Sequence, residues 1–405
     1  MNKVTIRDVA ELARVSQSSV SNYFHTPHKI SDATRERIRQ AVQTPGFVPN
    51  DAARMLRTGT SPVVGYVAFE LASATTPQLA AAIEQRVSAE SMYLPMANDG
   101  GSRLRERRCF AAMAAWVDVV RERAGGALLW EEGLQFGDWL DPDAPPDRPG
   151  DAKTDAGIVA TAYFHRSAAL TAKAAALLGR DADARRYGDL AARVTDAFRA
   201  AYVTPRGRMM SDAPTAYALA LVFGLAPDGQ RQALGDRLKE LVRAAGYRIT
   251  TGFVGTPVIC EALASTGHPD AASRLLTQTE CPSWLYPVTM GATTVWERWD
   301  SMLPDGSVNP GLMTSFNHYA LGGVADWLHR RVAGLAALEP GYRLVHVSPT
   351  LLDDLDDASA WRETPYGPAR AGWRREGARV HFHAEIPPNT RGVVELPSGA
   401  RYEVG

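Results

Sequence analysis

The sequence predicts a multidomain, mainly α chain: a helix-turn-helix head, a short α/β fragment, a long helical body and a C-terminal β-sandwich. Three observations carry this reading. The 405 residues call for two or three domains at about 150 residues each. Charge divides unevenly, with Lys3, Arg7, Arg14, Lys29, Arg35, Arg37, Arg39, Arg54 and Arg57 outnumbering Asp8, Glu11, Asp32, Glu36 and Asp51 in the first 60 residues, although the whole chain is at −1. Apolar spacing is helical along most of the chain and changes to strand alternation after Pro340.

Composition sets outer limits. Apolar residues are 45% and charged residues 22%, ordinary globular usage that excludes disordered, collagen-like and disulfide-scaffold chains. Three cysteines in this length make no disulfide framework, so a reducing, cytoplasmic setting is expected. Charges at Lys3, Arg7, Asp8, Glu11 and Arg14 interrupt any signal-peptide core, and no uncharged apolar run reaches membrane-spanning length. A basic head on an acidic body fits nucleic-acid contact by the head, or a chance cluster on a solvated face.

Residues 1–60 read as three helices. Thr5 caps the first, with Ile6, Val9, Ala10 and Ala13 at helical spacing. Arg14-Val15-Ser16 breaks it, and a second helix runs from Ser16 to about Tyr23 with Val20 and Phe24 inward. Ser31 caps a third, Asp32 to Gln43, with Thr34, Ile38, Ala41 and Val42 inward. Two helices on a three-residue turn, then a third, make a helix-turn-helix domain. Residues 61–113 follow with a strand (63–69), a helix (79–89), a second strand (93–98) and the start of a helix at Arg103. Those β–α units are too few to cover an open parallel sheet. From 114 to 338, helices are expected over 163–178, 182–202, 213–223, 228–245, 257–265 and 271–280. Between them lie long loops, 131–156, 247–256 and 281–316, rich in Trp, Asp, Gly and Thr, and long ordered loops usually carry function. The last segment, 339–405, alternates as strands at 342–347, 369–373, 378–386 and 392–396.

In the head, VTIRDVAELARVSQSSVSNYFH, SDATRERIRQAV, GFVPNDAARMLRTG and VVGYVAFE resemble the LacI/GalR family of bacterial repressors over residues 3–70. A weaker likeness to the start of that family's sugar-sensing domain runs on to 113. The second helix of such a head meets base edges in the major groove, which places Gln17, Ser18, Ser21 and Asn22 there. Gln and Asn pair bidentately with adenine, and Ser serves either base. Thr5, Ser16, Ser31 and Arg35 are placed for phosphate contact. The resemblance implies a hinge helix over Asn50–Arg57, with Asn50, Ala53 and a Leu56 wedge in the minor groove. It also implies binding to a double-stranded operator as a homodimer. Dimerisation belongs to the sensing domain, of which a fragment is present, so a monomer should bind DNA weakly.

In the body, LLWEEGLQFGDWLDP, IVATAYFHRSA, TGFVGTPVICEAL, CPSWLYPVTMGATTVWERWDS and SFNHYALGGVADWLHR resemble the bacterial α-L-rhamnosidases, inverting glycoside hydrolases with an (α/α)6 barrel and a C-terminal β-sandwich. A terminal α-L-rhamnoside, or rhamnose itself, is the implied ligand, without cofactor. A sugar site wants aromatic faces and carboxylates. Trp139, Trp284, Trp296 and Trp299 lie on loops beside Asp138, Asp141, Glu297 and Asp300, an unusual pattern for which rim packing and loop anchoring are the alternative. The resemblance makes Glu297 the general base; the alternative is an ion pair with Arg298 or a neighbour. His318 resembles a sugar-contacting histidine, Trp139 and Trp296 pocket aromatics, and Asp138 either holds a sugar hydroxyl or caps a loop.

One departure bears on chemistry. The family's general acid lies in an Asp-x-x-Arg-x-Glu motif followed by Trp, upstream of the GDW loop, and this sequence contains no such string. Glu106 is the nearest glutamate and reads as a solvated helix face. Some 225 helical residues hold about eight helices at ordinary lengths, whereas the family's barrel has twelve, so the barrel is expected to be incomplete. The implied body is a weak or inactive hydrolase. The alternatives are an active enzyme with a passenger head, or a rhamnose-responsive regulator. His381, His383 and Glu385 share one strand face, more often solvent alternation than a metal site, and Cys109, Cys260 and Cys281 share no ligand spacing.

Overall fold

The computed structural model describes residues 6–25, 29–42, 103–145 and 148–405, excepting the side chains of 6–8, 21, 24, 25, 42 and 103–106. Thr5, Asn50, Ala53 and Leu56 lie outside these residues, as do the strands and helix expected over 63–98. So do the side chains of Ser21 and Glu106.

The head consists of α1 (Ile6–Ala13), α2 (Gln17–His25) and α3 (Asp32–Val42). Val9, Ala10, Ala13, Val20, Ile38 and Ala41 are buried together, with Val15, Tyr23 and Ile30 against them. Arg14 enters the left-handed region (φ 52), and Val15 N–H closes α1 on the Ala10 carbonyl at 3.0 Å. Ser16 Oγ accepts Ser19 N–H at 3.1 Å, and Ser31 Oγ accepts Thr34 N–H at 3.3 Å. Each hydroxyl thus satisfies an orphan donor in a helix's first turn.

The body is built from α4 (Arg103–Ala124), α5 (Ala156–Leu177), α6 (Asp181–Tyr202), α7 (Pro214–Val222), α8 (Arg231–Ala244), α9 (Thr256–Ala264), α10 (Pro269–Leu276), α11 (Leu285–Thr289) and α12 (Val324–Trp327), which continues as a π turn to Val332. α4 runs unbroken through 113/114, the point at which the resemblance passes from one family to the other. Helix α5 packs on α6, and α7 lies against both α8 and α9. Pro214 through Leu221 of α7 are all buried, as an inner barrel helix requires, and they join one core with Ile158, Phe198, Leu234, Ile259 and Trp327. Asp118 on α4 takes Arg186 Nη2 at 2.6 Å and Tyr187 OH at 3.3 Å, fixing α4 to α6.

Two helix boundaries differ from expectation for local reasons. α5 begins at Ala156, not Tyr163, because Asp155 Oδ1 accepts the N–H groups of Gly157 (2.8 Å) and Ile158 (3.3 Å). α10 stops at Leu276, four residues short of Glu280, and Thr277 Oγ1 turns back to the Ser273 carbonyl. Among the described residues no helix is long and apolar enough to cross a membrane.

The C-terminal part holds two sheets. One has order β1 (Leu335–Ala337), β2 (Leu344–Val347), β6 (Arg391–Glu395), β7 (Arg401–Val404), with β2 and β6 parallel. The other is an antiparallel meander of β3 (Asp357–Thr364), β4 (Gly367–Glu376) and β5 (Arg379–Glu385). Leu335, Val345 and Val347 of the first sheet share a core with Ala369 and Ala371 of the second, which makes a sandwich. Trp373 Nε1–H donates to the Val332 carbonyl at 2.8 Å, tying sandwich to helices. His381, His383 and Glu385 are exposed on β5, and His381 reaches Glu376 at 3.4 Å.

Candidate functional site

Three loops carry the site. The first, 125–155, turns at Gly137 (φ 60) and Leu140 (φ 57), between which sit Asp138 and Trp139. Asp138 is fully buried. Its carboxylate accepts Thr215 Oγ1–H (2.5 Å), Gly252 N–H (2.8 Å), Val254 N–H (3.1 Å) and Gly255 N–H (3.1 Å). Burial pushes this carboxyl above the usual range, and the Thr215 and backbone donors pull it back. A side chain without exposure and with both oxygens occupied anchors the loop.

The second loop, 247–255, presents Phe253, whose N–H donates to the Trp139 carbonyl at 2.8 Å. Its ring stacks on His318, centroids 5.0 Å apart. Tyr319 also stacks on the imidazole, centroids 5.2 Å apart. Nδ1 accepts Ala320 N–H at 3.3 Å, which leaves Nε2 to carry the proton and donate. Trp139 is half-buried, with the exposed Phe136 edge-on at 5.5 Å.

On the third loop, 281–316, Glu297 is half-buried. Its Oε2 accepts Ser315 N–H at 3.2 Å, and its own N–H donates to the Ser315 carbonyl at 2.8 Å. His318 N–H bonds to the Val295 carbonyl at 2.8 Å, so the Glu297 loop and the histidine are hydrogen-bonded neighbours. Arg298 pairs with Asp300 at 3.0 Å instead of with Glu297. Among the described residues no cation pairs with Glu297. Glu297 lines a solvent-open cleft with Leu140, Asp141, Trp299 and Asp300. Neither aspartate is spare: Asp141 accepts the N–H groups of Asp143 and Lys153, and Asp300 takes Arg298 and Asn309 Nδ2.

The loop tryptophans divide. Trp296 and Trp299 are 3% and 6% exposed and pack edge-on against Phe316 and Trp284. Trp284 Nε1–H is spent on the Leu321 carbonyl at 2.8 Å. Trp139 keeps more of its surface exposed than either Trp296 or Trp299. Sequence reasoning passed over Phe253, Tyr319 and Thr215. The available signal was TGFVG, an aromatic between two glycines that have no room for a side chain.

On the head, Gln17 and Ser18 are exposed at the start of α2. Asn22 is half-buried one turn on. Ser16 Oγ also contacts Ser18 Oγ at 3.0 Å, and Arg35 Nη1 pairs with Asp32 at 2.7 Å.

Comparison with known proteins joins these parts. Residues 98–332 match the bacterial alpha-L-rhamnosidase 6 hairpin glycosidase domain. The chain belongs to the bacterial α-L-rhamnosidase family. Residues 334–405 match the alpha-L-rhamnosidase C-terminal domain, and residues 5–50 match the bacterial regulatory proteins of the lacI family. A LacI-like head is thus fused to the C-terminal part of a rhamnosidase, and the rhamnosidase match takes in the whole of α4. An alpha-L-rhamnosidase of Streptomyces avermitilis is 39% identical over 284 residues, 70% of this chain and 26% of that protein. A crystal structure of S. avermitilis alpha-L-rhamnosidase complexed with L-rhamnose superposes with TM-score 0.69 at 36% identity, covering 77% of this chain and 31% of that one. For the head, the maltose regulon regulatory protein MalI of Escherichia coli is 36% identical over 107 residues, 26% of this chain and 31% of that protein. The rhamnosidase-type body spans about a quarter to a third of the length of these relatives.

Proposed function

We propose that this chain joins an operator-binding head to a body that recognises α-L-rhamnosides and hydrolyses them weakly. In this reading residues 1–60 form the DNA-binding domain with its hinge, 61–113 a sensor fragment, 114–338 the partial barrel and 339–405 the sandwich. The protein works in the cytoplasm. Gln17, Ser18, Ser21 and Asn22 read bases, Thr5, Ser16, Ser31 and Arg35 touch phosphates, and Asn50, Ala53 and Leu56 enter the minor groove. Homodimers bind the two half-sites of an operator.

The observation that carries the body's role is Glu297: a half-buried carboxylate, oriented by Ser315 N–H and unpaired with any described cation, on the loop bonded to His318. Glu297 takes a proton from water as that water attacks the anomeric carbon, opposite the departing oxygen. His318 Nε2–H holds a sugar hydroxyl, and Trp139 covers an apolar sugar face. Inversion also needs a proton donor about 6.5–9.5 Å from the base. Asp141 and Asp300, the other carboxylates of the cleft, are already committed as acceptors. The general-acid string is missing from the sequence, and losing such a group removes about 10²–10⁴ in rate.

Full-length protein, titrated with L-rhamnose and then assayed on an aryl α-L-rhamnoside, tests this. Saturable binding, lost in Trp139→Ala, with turnover at least about a hundredfold below a complete family enzyme is the expected result. Robust hydrolysis abolished by Glu297→Gln overturns the weak-hydrolase reading, and no response to rhamnose overturns recognition.

A further inference from the structure

We infer that Asp138 is a positioning residue: it knots two loops together and thereby sets Trp139, Phe253 and His318 as one sugar-facing wall. The inference rests on the reading that this mouth takes rhamnose. Four donors from two distant stretches converge on one carboxylate, namely Thr215 in the first turn of α7 and Gly252, Val254 and Gly255 before α9. A carboxylate has only acceptors, so it can satisfy them all; an amide would turn its NH₂ against donors. The backbones interlock as well. A Cβ on Gly252 would stand 2.2 Å from the Asp138 carbonyl oxygen, and Phe253 N–H reaches the Trp139 carbonyl at 2.8 Å.

Two side chains leave the knot on either side of that last bond, Trp139 from one loop and Phe253 from the other. Phe253 stacks on His318, and His318 N–H holds the Val295 carbonyl, two residues before Glu297. Any shift of Asp138 therefore moves the tryptophan, the ring behind the histidine and the histidine together. Asp138 itself touches no ligand, since it is fully buried.

The test uses full-length protein labelled with 5-fluorotryptophan, in which the Trp139 resonance is assigned with Trp139→Phe. Thr215→Val removes one donor and is the mild variant; Asp138→Asn is the severe one; Thr215→Ser restores the hydroxyl. In Thr215→Val the Trp139 fluorine resonance should move while those of the sandwich tryptophans Trp361 and Trp373 stay. L-rhamnose affinity should fall about three- to tenfold, the scale of one lost hydrogen bond. Thr215→Ser should restore both readouts. An unmoved Trp139 resonance and unchanged affinity in Thr215→Val and Asp138→Asn, even with a lower melting temperature, would overturn the inference. Were the parent chain silent to rhamnose, the functional reading would fail, but the Trp139 resonance would still decide the positioning role.

Discussion

Gly252→Ala offers the sharpest stability test, because its neighbours are backbone and cannot swing aside. The new Cβ would lie 2.2 Å from the Asp138 carbonyl oxygen and 2.4 Å from that of Trp139, where ordinary contact begins at 3.4 Å. The loops must part by about 1 Å, an overpacking cost of about 1–3 kcal/mol. That opening weakens Gly252 N–H to Asp138 and Phe253 N–H to the Trp139 carbonyl, both 2.8 Å, at about 0.5–1.5 kcal/mol each. Loss of glycine's freedom in the unfolded chain returns about 0.4–1 kcal/mol. The net is a destabilisation of about 3 kcal/mol. Gly188→Ala is the control: within α6, with open space at its Cβ, it should stabilise by about 0.5–1 kcal/mol. All nine tryptophans fall at residue 116 or later, so urea unfolding followed by tryptophan emission reads the body without the head. If Gly252→Ala unfolds within about 0.5 kcal/mol of the parent, the interlock is wrong.

Three further outcomes follow from buried groups. Burial, with Arg166 and Arg199 nearby, lowers His165 from 6.5 to about 4, so the folded body refuses a proton that the unfolded chain accepts. Stability should fall as pH drops from 6.5 toward 4, by up to about 1.4 kcal/mol per unit. His165→Gln should flatten that slope in urea midpoints measured at pH 7 and 5; an equal slope in the variant would refute the assignment. Ile38→Ala removes the centre of a six-residue core and should cost about 2–5 kcal/mol, abolishing retention on operator DNA while tryptophan emission stays unchanged. Cys260 is fully buried and its thiol is pushed up by that burial, so a thiol reagent should reach it only after unfolding, and early labelling in native protein would contradict the packing.

What could be read in the sequence was what is local. Ser31 caps its helix through a bond spanning three residues, and the helical spacing of Val9, Ala10 and Ala13 survives as buried core. The helices of the body were legible by the same periodicity. α5 was shortened at its start because Ile158, Val159 and Thr161 are β-branched, and the capping role of Asp155 depends on geometry that the string does not display. β3 was missed because DASAWRET follows an acidic run that reads as loop. Trp296 and Trp299 looked like ligand aromatics because they lie outside any periodic stripe, yet a long loop can carry core of its own. The Asp138 knot was least legible: its bonds reach across 77 to 117 residues, and nothing near GDW announces TGFVG.

The proposed base at Glu297, without a general acid, makes a chemical prediction that separates this body from a complete enzyme. Glu297 can assist water whatever the aglycone, but only an acid helps the departing oxygen. Without one, the barrier depends on how well the leaving group bears negative charge. α-L-Rhamnosyl fluoride and nitrophenyl rhamnosides leave without protonation, whereas an alkyl rhamnoside cannot. Turnover of the activated substrates should be detectable and should fall about a hundredfold or more in Glu297→Gln, while the methyl rhamnoside stays inert. Plotted against leaving-group acidity, log(kcat/KM) should be steep, and its pH profile should lack a descending alkaline limb, since no essential proton remains to be lost. A shallow plot with a bell-shaped profile would mean that this chain supplies an acid from a residue not yet recognised, and Glu131, bonded to Tyr202 OH at 2.7 Å on the loop before Trp139, would be the first carboxylate to replace.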